Sequence, residues 1–167
     1  QVELCLARKV KGQILGTGRD MQLTRQIGEH LVAAELGRRG IIATPFAGNI
    51  PEFDLLAANA RGAAIPIQVK AIRSASWQFQ IQQFLDVRMR GSRQHVNGRK
   101  RLTNPNLICI FVRLRDDSNP EDEFYIFTLQ NLQTHFHATY KSRVRPRNPS
   151  SFHCAIRPQD LKAHKNN

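Results

Sequence analysis

A chain of 167 residues that is 41% hydrophobic and 23% charged is long enough to bury one core, and none of its apolar runs reaches the length of a membrane-spanning helix. With 25 Lys and Arg against 13 Asp and Glu it carries a formal charge of +12, which excludes an acidic scaffold and points to a polyanionic partner. Three cysteines, Cys5, Cys109 and Cys154, are odd in number and far apart, which excludes a disulfide framework and fits a reducing, cytoplasmic setting, with association to a nucleoid as the variant that the basic charge suggests.

The first twenty residues mix apolar and basic side chains without a sustained apolar core, so no secretory leader is read there. Residues 1–20 read as an N-terminal extension, and 21–167 as a single domain. Gln22 to Arg39 reads as a helix. Leu23, Ile27, Leu31 and Ala34 form one apolar face, and Val32, Ala33 and Leu36 form another with Arg25 and Glu29 beside them. Gly37 and Gly40 flank its end, and Ile41 to Thr44 reads as a strand leading into a Gly48-Asn49 turn.

Glu52 to Ile72 reads as a hairpin. Its first apolar run is Phe53 to Ala57, its connection carries Asn59, Arg61 and Gly62, and its second run is Ala64 to Ile72. Side chains alternate along a strand, so Gln68 and Lys70 share one face while Ile67 and Val69 share the other. Asp54 lies among Phe53, Leu55 and Leu56 on the partner strand. A carboxylate, an amide and an ammonium converging on one sheet edge are costly to desolvate unless they meet each other, water or a metal ion. Glu29 read from the residues alone is either part of that set or a helix-surface glutamate paired with Arg25 at i−4.

Beyond the hairpin, Trp77, Phe79 and Ile81 alternate with glutamines and read as a strand with Trp77 in the core. Arg88, Arg90, Arg93, Arg99, Lys100 and Arg101, interrupted by Gly91 and Gly98, read as a flexible basic loop able to follow a phosphate backbone. Asn106 to Leu114 and Glu123 to Leu129 read as strands around the acidic turn Asp116 to Glu123, which holds five of the thirteen acids. Cys109 lies within a run that reads as a buried strand, where a free thiol behaves as a small hydrophobe. Asn131 to Tyr140 reads as a short helix, Lys141 to Arg147 as a second basic cluster, Phe152 to Ile156 as a short strand, and Pro158 to Lys165 as a turn or helical tail. His135, His137, His153 and Cys154 show no paired spacing typical of structural zinc.

Taken together, Glu29, Asp54, Gln68 and Lys70 resemble the PD-(D/E)XK nuclease superfamily, in the variant whose second acid is replaced by glutamine to give Q-x-K. The segment IGEHLVAAELGRRGIIATPFAGNIPEFDLLA resembles that family's glutamate helix, following strand and aspartate strand, and PIQVKAI resembles its lysine strand. The likeness covers Thr24 to Trp77 well and the remainder loosely. It implies an α/β fold with a restriction endonuclease-like core, a central mixed sheet flanked by helices, and a metal-dependent endonuclease acting on DNA phosphodiester bonds. Glu29, Asp54 and the Gln68 side-chain oxygen, with the Val69 carbonyl, are the expected ligands of Mg2+, or of Mn2+ in its place. Lys70 is the expected group that positions or deprotonates the attacking water. Arg25, Arg73, Arg88, Arg90, Arg93, Arg99, Lys100, Arg101, Arg143 and Arg145 are the expected nucleic-acid contacts. DNA is the expected partner, with RNA as the alternative polyanion, no membrane, and a homodimer if cuts are paired. The other readings are a catalytically inactive nucleic-acid-binding protein on the same fold and an RNA-cleaving toxin domain.

Overall fold

The structure, a computed structural model, describes residues 18–46, 52–73, 75–141 and 151–165. In chain order it contains α1 (Gly18–Arg38), β1 (Ile42–Pro45), β2 (Leu55–Ala58), β3 (Ala64–Ile72), β4 (Trp77–Gln80), a 3-10 turn (Ile81–Gln83), β5 (Leu85–Arg90), β6 (Arg93–Arg99), β7 (Ile108–Arg113), β8 (Glu123–Thr128), α2 (Leu129–Lys141), β9 (His153–Ile156) and a 3-10 tail (Pro158–His164). Five strands form one mixed sheet in the order β1-β2-β3-β7-β8. β3 and β7 are parallel and the other neighbours antiparallel. The expected α/β fold with a mixed central sheet flanked by helices is present.

β7 explains why the sheet has two covered faces. In Ile108-Cys109-Ile110-Phe111-Val112 every residue is apolar, and alternate side chains project to opposite faces. Ile110 and Val112 join Leu55, Ala57, Ile67, Val69 and Val32 of α1 in one core. Cys109 and Phe111 join Trp77, Phe79, Phe84, Tyr125 and the α2 residues Leu132 and Phe136 in the other. The parallel crossover from β3 to β7 carries β4, β5 and β6 across this second face.

α1 ends where the sequence has Gly40, at a φ of +75 that L side chains rarely adopt. The Ile41 N–H reaches back to the Leu36 carbonyl (3.0 Å) and the Gly40 N–H to that of Gly37 (3.0 Å), a Schellman ending that turns the chain straight into β1. The helix starts at Gly18, so residues 18–20 of the expected extension belong to it, while residues 1–17 lie outside the described residues.

Three expectations are corrected. Leu23 (46% exposed) and Ala34 do not face the core; the buried stripe of α1 is Thr24, Gly28, Glu29 and Val32. The reason is close approach: a Cβ built on Gly28 would sit 2.4 Å from the Ala71 Cβ, so the helix seats on the sheet through its smallest residue and its larger apolar groups ride at the margins. The basic segment Arg88 to Arg101 is not a flexible loop. Arg88 to Arg99 lies mostly in the antiparallel ribbon β5–β6, closed by a turn at Gly91 (φ +59), because Leu85 and Val87 face inward and hold the strand to the core. The expected strand through Ile81 stops at Gln80, with Ile81 buried in the 3-10 turn that follows.

Gly28→Ala is expected to lower stability by about 1–3 kcal/mol through overpacking against Ala71. Gly37→Ala, with open space around the added methyl, is expected to raise it by up to about 1 kcal/mol. Urea denaturation of both variants checks the pair, and equal effects would contradict the seating of α1.

Candidate active site

The site forms where β2 stops pairing with β3. β3 is nine residues long and β2 only four, and their last matched pair is Leu55 with Ile67. Asp54 still donates its N–H to the Ile67 carbonyl (2.9 Å) before the chain departs. A backbone N–H left without a strand partner in a covered sheet is costly, and that of Val69 donates to Asp54 Oδ2 (2.8 Å). The carboxylate thus completes the ladder that the strand abandons. In an extended strand a residue's N–H and C=O project to the same side, so the Val69 carbonyl is aimed at this edge too.

The second carboxylate arrives from the helix. Gly28 lets α1 close on Val69 and Ala71, and the next residue, Glu29, is 7% exposed beside them. Arg25, one turn earlier, donates through Nε to Glu29 Oε1 (2.8 Å) and through a terminal nitrogen to Asp54 Oδ1 (2.9 Å). One guanidinium therefore binds two carboxylates, one 4 residues and the other 29 residues along the chain from it. Its pKa is raised further above the usual arginine value, chiefly by the Glu29 hydrogen bond, with burial opposing and Asp54 adding to the rise. Among the described residues no cluster of three or more His, Cys, Asp or Glu gathers to hold a metal. Both carboxylates converge on the single positive charge of Arg25, and the Val69 carbonyl lies at the same edge; oxygen donors of this kind are those a hard divalent cation takes.

Gln68 and Lys70 lie on the face of β3 opposite to Ile67 and Val69. Gln68 lines an open cleft of about 620 Å³ with Glu52, Phe53, Phe84, Arg101 and Asn104. Lys70 is half-buried, with its ammonium 5.5 Å from the centre of the Phe79 ring and its carbonyl accepting the Trp77 indole N–H (2.9 Å). Cys109, which pairs with Gln68 in the parallel ladder, reports on the surroundings. Burial pushes its thiol up to about 12, and its sulfur senses Lys70 and Asp54 in opposite directions. Asp54 meets β3 at its edge, Gln68 and Lys70 lie on the face turned away from α1, and Glu29 lies on the α1 side, joined to Asp54 through Arg25.

The expected nucleic-acid residues divide. Arg73, Arg88, Arg90, Arg93, Arg99, Lys100 and Arg101 are exposed, and Arg101 alone of these lines the cleft with Gln68. Arg25 is turned to the carboxylates, and Arg143 and Arg145 lie outside the described residues, as does most of the second basic cluster. Sequence reasoning missed the Arg25–Asp54 contact and the packing of Lys70 against Trp77 and Phe79. The i, i+4 spacing of Arg25 and Glu29 was a signal for half of the first.

Two outcomes check this geometry. Arg25→Met keeps the stem and removes the charge, leaving two carboxylates opposed. Without metal its stability should fall by about 1–2 kcal/mol, discounted for the half-exposed arginine, and Mg2+ should restore more of its melting temperature than it adds to the parent. A thiol reagent at pH 8 should leave Cys109 unmodified until the chain unfolds, because its thiolate is scarce and covered.

No family model matches the chain, and no curated protein matches it. Among solved structures it is similar to that of a bacterial homing endonuclease, I-Ssp6803I, at 12% identity and a TM-score of 0.47, over 90% of this chain and 89% of that one.

Proposed function

We propose that the chain is a metal-dependent endonuclease that hydrolyses DNA phosphodiester bonds, on a restriction endonuclease-like core. The observation that carries this reading is the meeting of two largely covered carboxylates, Glu29 and Asp54, on one cation beside the Gln68-x-Lys70 strand. In a chain of net charge +12, two acids drawn out of solvent onto one arginine are placed for a charged ligand rather than for solubility.

Asp54 would be the principal ligand of Mg2+, or of Mn2+, with Glu29, the Gln68 amide oxygen and the Val69 carbonyl completing the protein's share. When bound, the ion would offset charge on the phosphate and lower the pKa of water. The protein's own residues would do the rest. Asp54, tied by Val69 through one oxygen, keeps a fixed orientation. Lys70, whose backbone is held by Trp77 and whose ammonium rests over Phe79, would orient or deprotonate the attacking water and stabilise charge on the phosphate. Gln68 contributes an oxygen without a charge, so substrate phosphate would be needed to complete metal binding. Arg25 would have to yield part of its hold on Asp54 and Glu29 as the ion enters, and its guanidinium is then available to phosphate.

Nicking of supercoiled DNA with Mg2+, with EDTA, and with Asp54→Ala and Lys70→Ala tests this. Each variant should lose at least about 100-fold in rate while DNA affinity changes little. Metal-independent cutting, or undiminished cutting by both variants, would contradict the proposal. Binding without cutting by the parent chain would favour the inactive binding protein that Gln68 leaves open.

A further inference from the structure

The ribbon β5–β6 is separate from the central sheet, and its two faces differ. Directly paired residues of antiparallel strands share a face. One face carries Leu85, Val87 with Val96, and Met89 with Gln94. It is fixed to the body: Leu85 and Val87 are buried, the Tyr140 hydroxyl donates to Gln94 Oε1, and Gln94 Nε2 donates to the Ser151 carbonyl (2.7 Å). At the base, the buried Gln133 amide of α2 donates to both the Phe84 carbonyl (2.9 Å) and the Lys100 carbonyl (2.7 Å), clamping the chain where it enters and leaves the ribbon.

The other face carries Arg88 opposite His95 and Arg90 opposite Arg93, the latter pair flanking the Gly91 turn. All four are exposed. Asp86 is the one acid between residues 85 and 101 and pairs with Arg88 alone of the arginines here: Asn97 Nδ2 (3.1 Å) and Arg88 Nε (3.3 Å) both donate to its carboxylate, leaving Arg90 and Arg93 uncompensated by any acid of the ribbon. Beyond the ribbon the chain runs through Lys100 to Arg101, which lines the cleft at Gln68.

We infer that this outward face is a reading head for duplex DNA that enters the major groove and continues along Arg101 to the carboxylate site. The size fits. Two strands about 4.8 Å apart with their side chains make a rod about as wide as a helix, about 10 Å, and the major groove of B-form DNA is about 12 Å wide while its minor groove is about 6 Å. The major groove of double-stranded RNA is too narrow for such a rod. The chemistry fits as well: arginine pairs with guanine N7 and O6, asparagine with adenine, and a rigid clamped ribbon loses little freedom on docking. The inference rests on the nuclease reading only for the identity of the polyanion.

The test uses binding in EDTA, so that it stands or falls apart from cleavage. Fluorescence anisotropy with one sequence as duplex DNA, double-stranded RNA and single-stranded DNA should show duplex DNA preferred. The exposed-residue variant Arg88→Ala/Arg90→Ala/Arg93→Ala should lose at least about tenfold in duplex affinity and show a shallower salt dependence, while Arg38→Ala, exposed at the end of α1, should not. On the unaltered protein, methylation of guanine N7 in the bound DNA should interfere with binding. Equal binding of double-stranded RNA, or absence of N7 interference, would overturn the inference whatever the nuclease assay shows.

Discussion

The Asp54 carboxylate takes the place of a missing stretch of strand, and the site depends on that substitution. β2 ends after its pairing with Ile67, and one oxygen of Asp54 accepts the Val69 N–H that would otherwise be stranded. The other oxygen is thereby aimed away from β3 toward α1, where Arg25 meets it. A longer β2 would satisfy Val69 by backbone and leave Asp54 with no fixed direction. A shorter one would uncover the Leu55 and Ile67 core beneath. The position of the Asp54 carboxylate is therefore set by hydrogen-bond satisfaction, and its direction comes with the sheet.

Charge follows from the same arrangement. Glu29 and Asp54 are nearly covered, and two such carboxylates in proximity repel strongly unless a cation lies between them. Arg25 supplies it from an exposed stem, which lets the guanidinium leave without disturbing the core. The excess positive charge is carried by exposed side chains such as Arg88, Arg90 and Arg93 of the ribbon, whereas this negative pair is covered.

Much of this was legible in the sequence because it is local. The continuous apolar run of β7 and the alternation of Ile67-Gln68-Val69-Lys70 fix which residues face which core, and both appear as read. What escaped is tertiary. The bond between Arg25 and Asp54 spans 29 residues and no periodicity encodes it. The seating of α1 through Gly28 leaves Leu23 and Ala34 of the expected apolar faces exposed, while Ile27, Leu31, Val32, Ala33 and Leu36 pack toward the sheet. The basic ribbon was mistaken for a loop because charge dominated the reading, although Leu85, Val87 and Met89 alternate and Gly91 marks the turn. The resemblance to a nuclease site singled out Glu29, Asp54, Gln68 and Lys70, but not Arg25 as the group that joins the first two.

If, as proposed, the Glu29–Asp54 pair is built for a divalent cation that Arg25 replaces in its absence, an anomalous difference map from crystals of the protein with bound duplex DNA, grown in Mn2+, tests it most directly. A peak is expected between Asp54 and Glu29, with the Arg25 guanidinium moved off Asp54. A map with no peak at that position, and Arg25 still bridging both carboxylates, would contradict it.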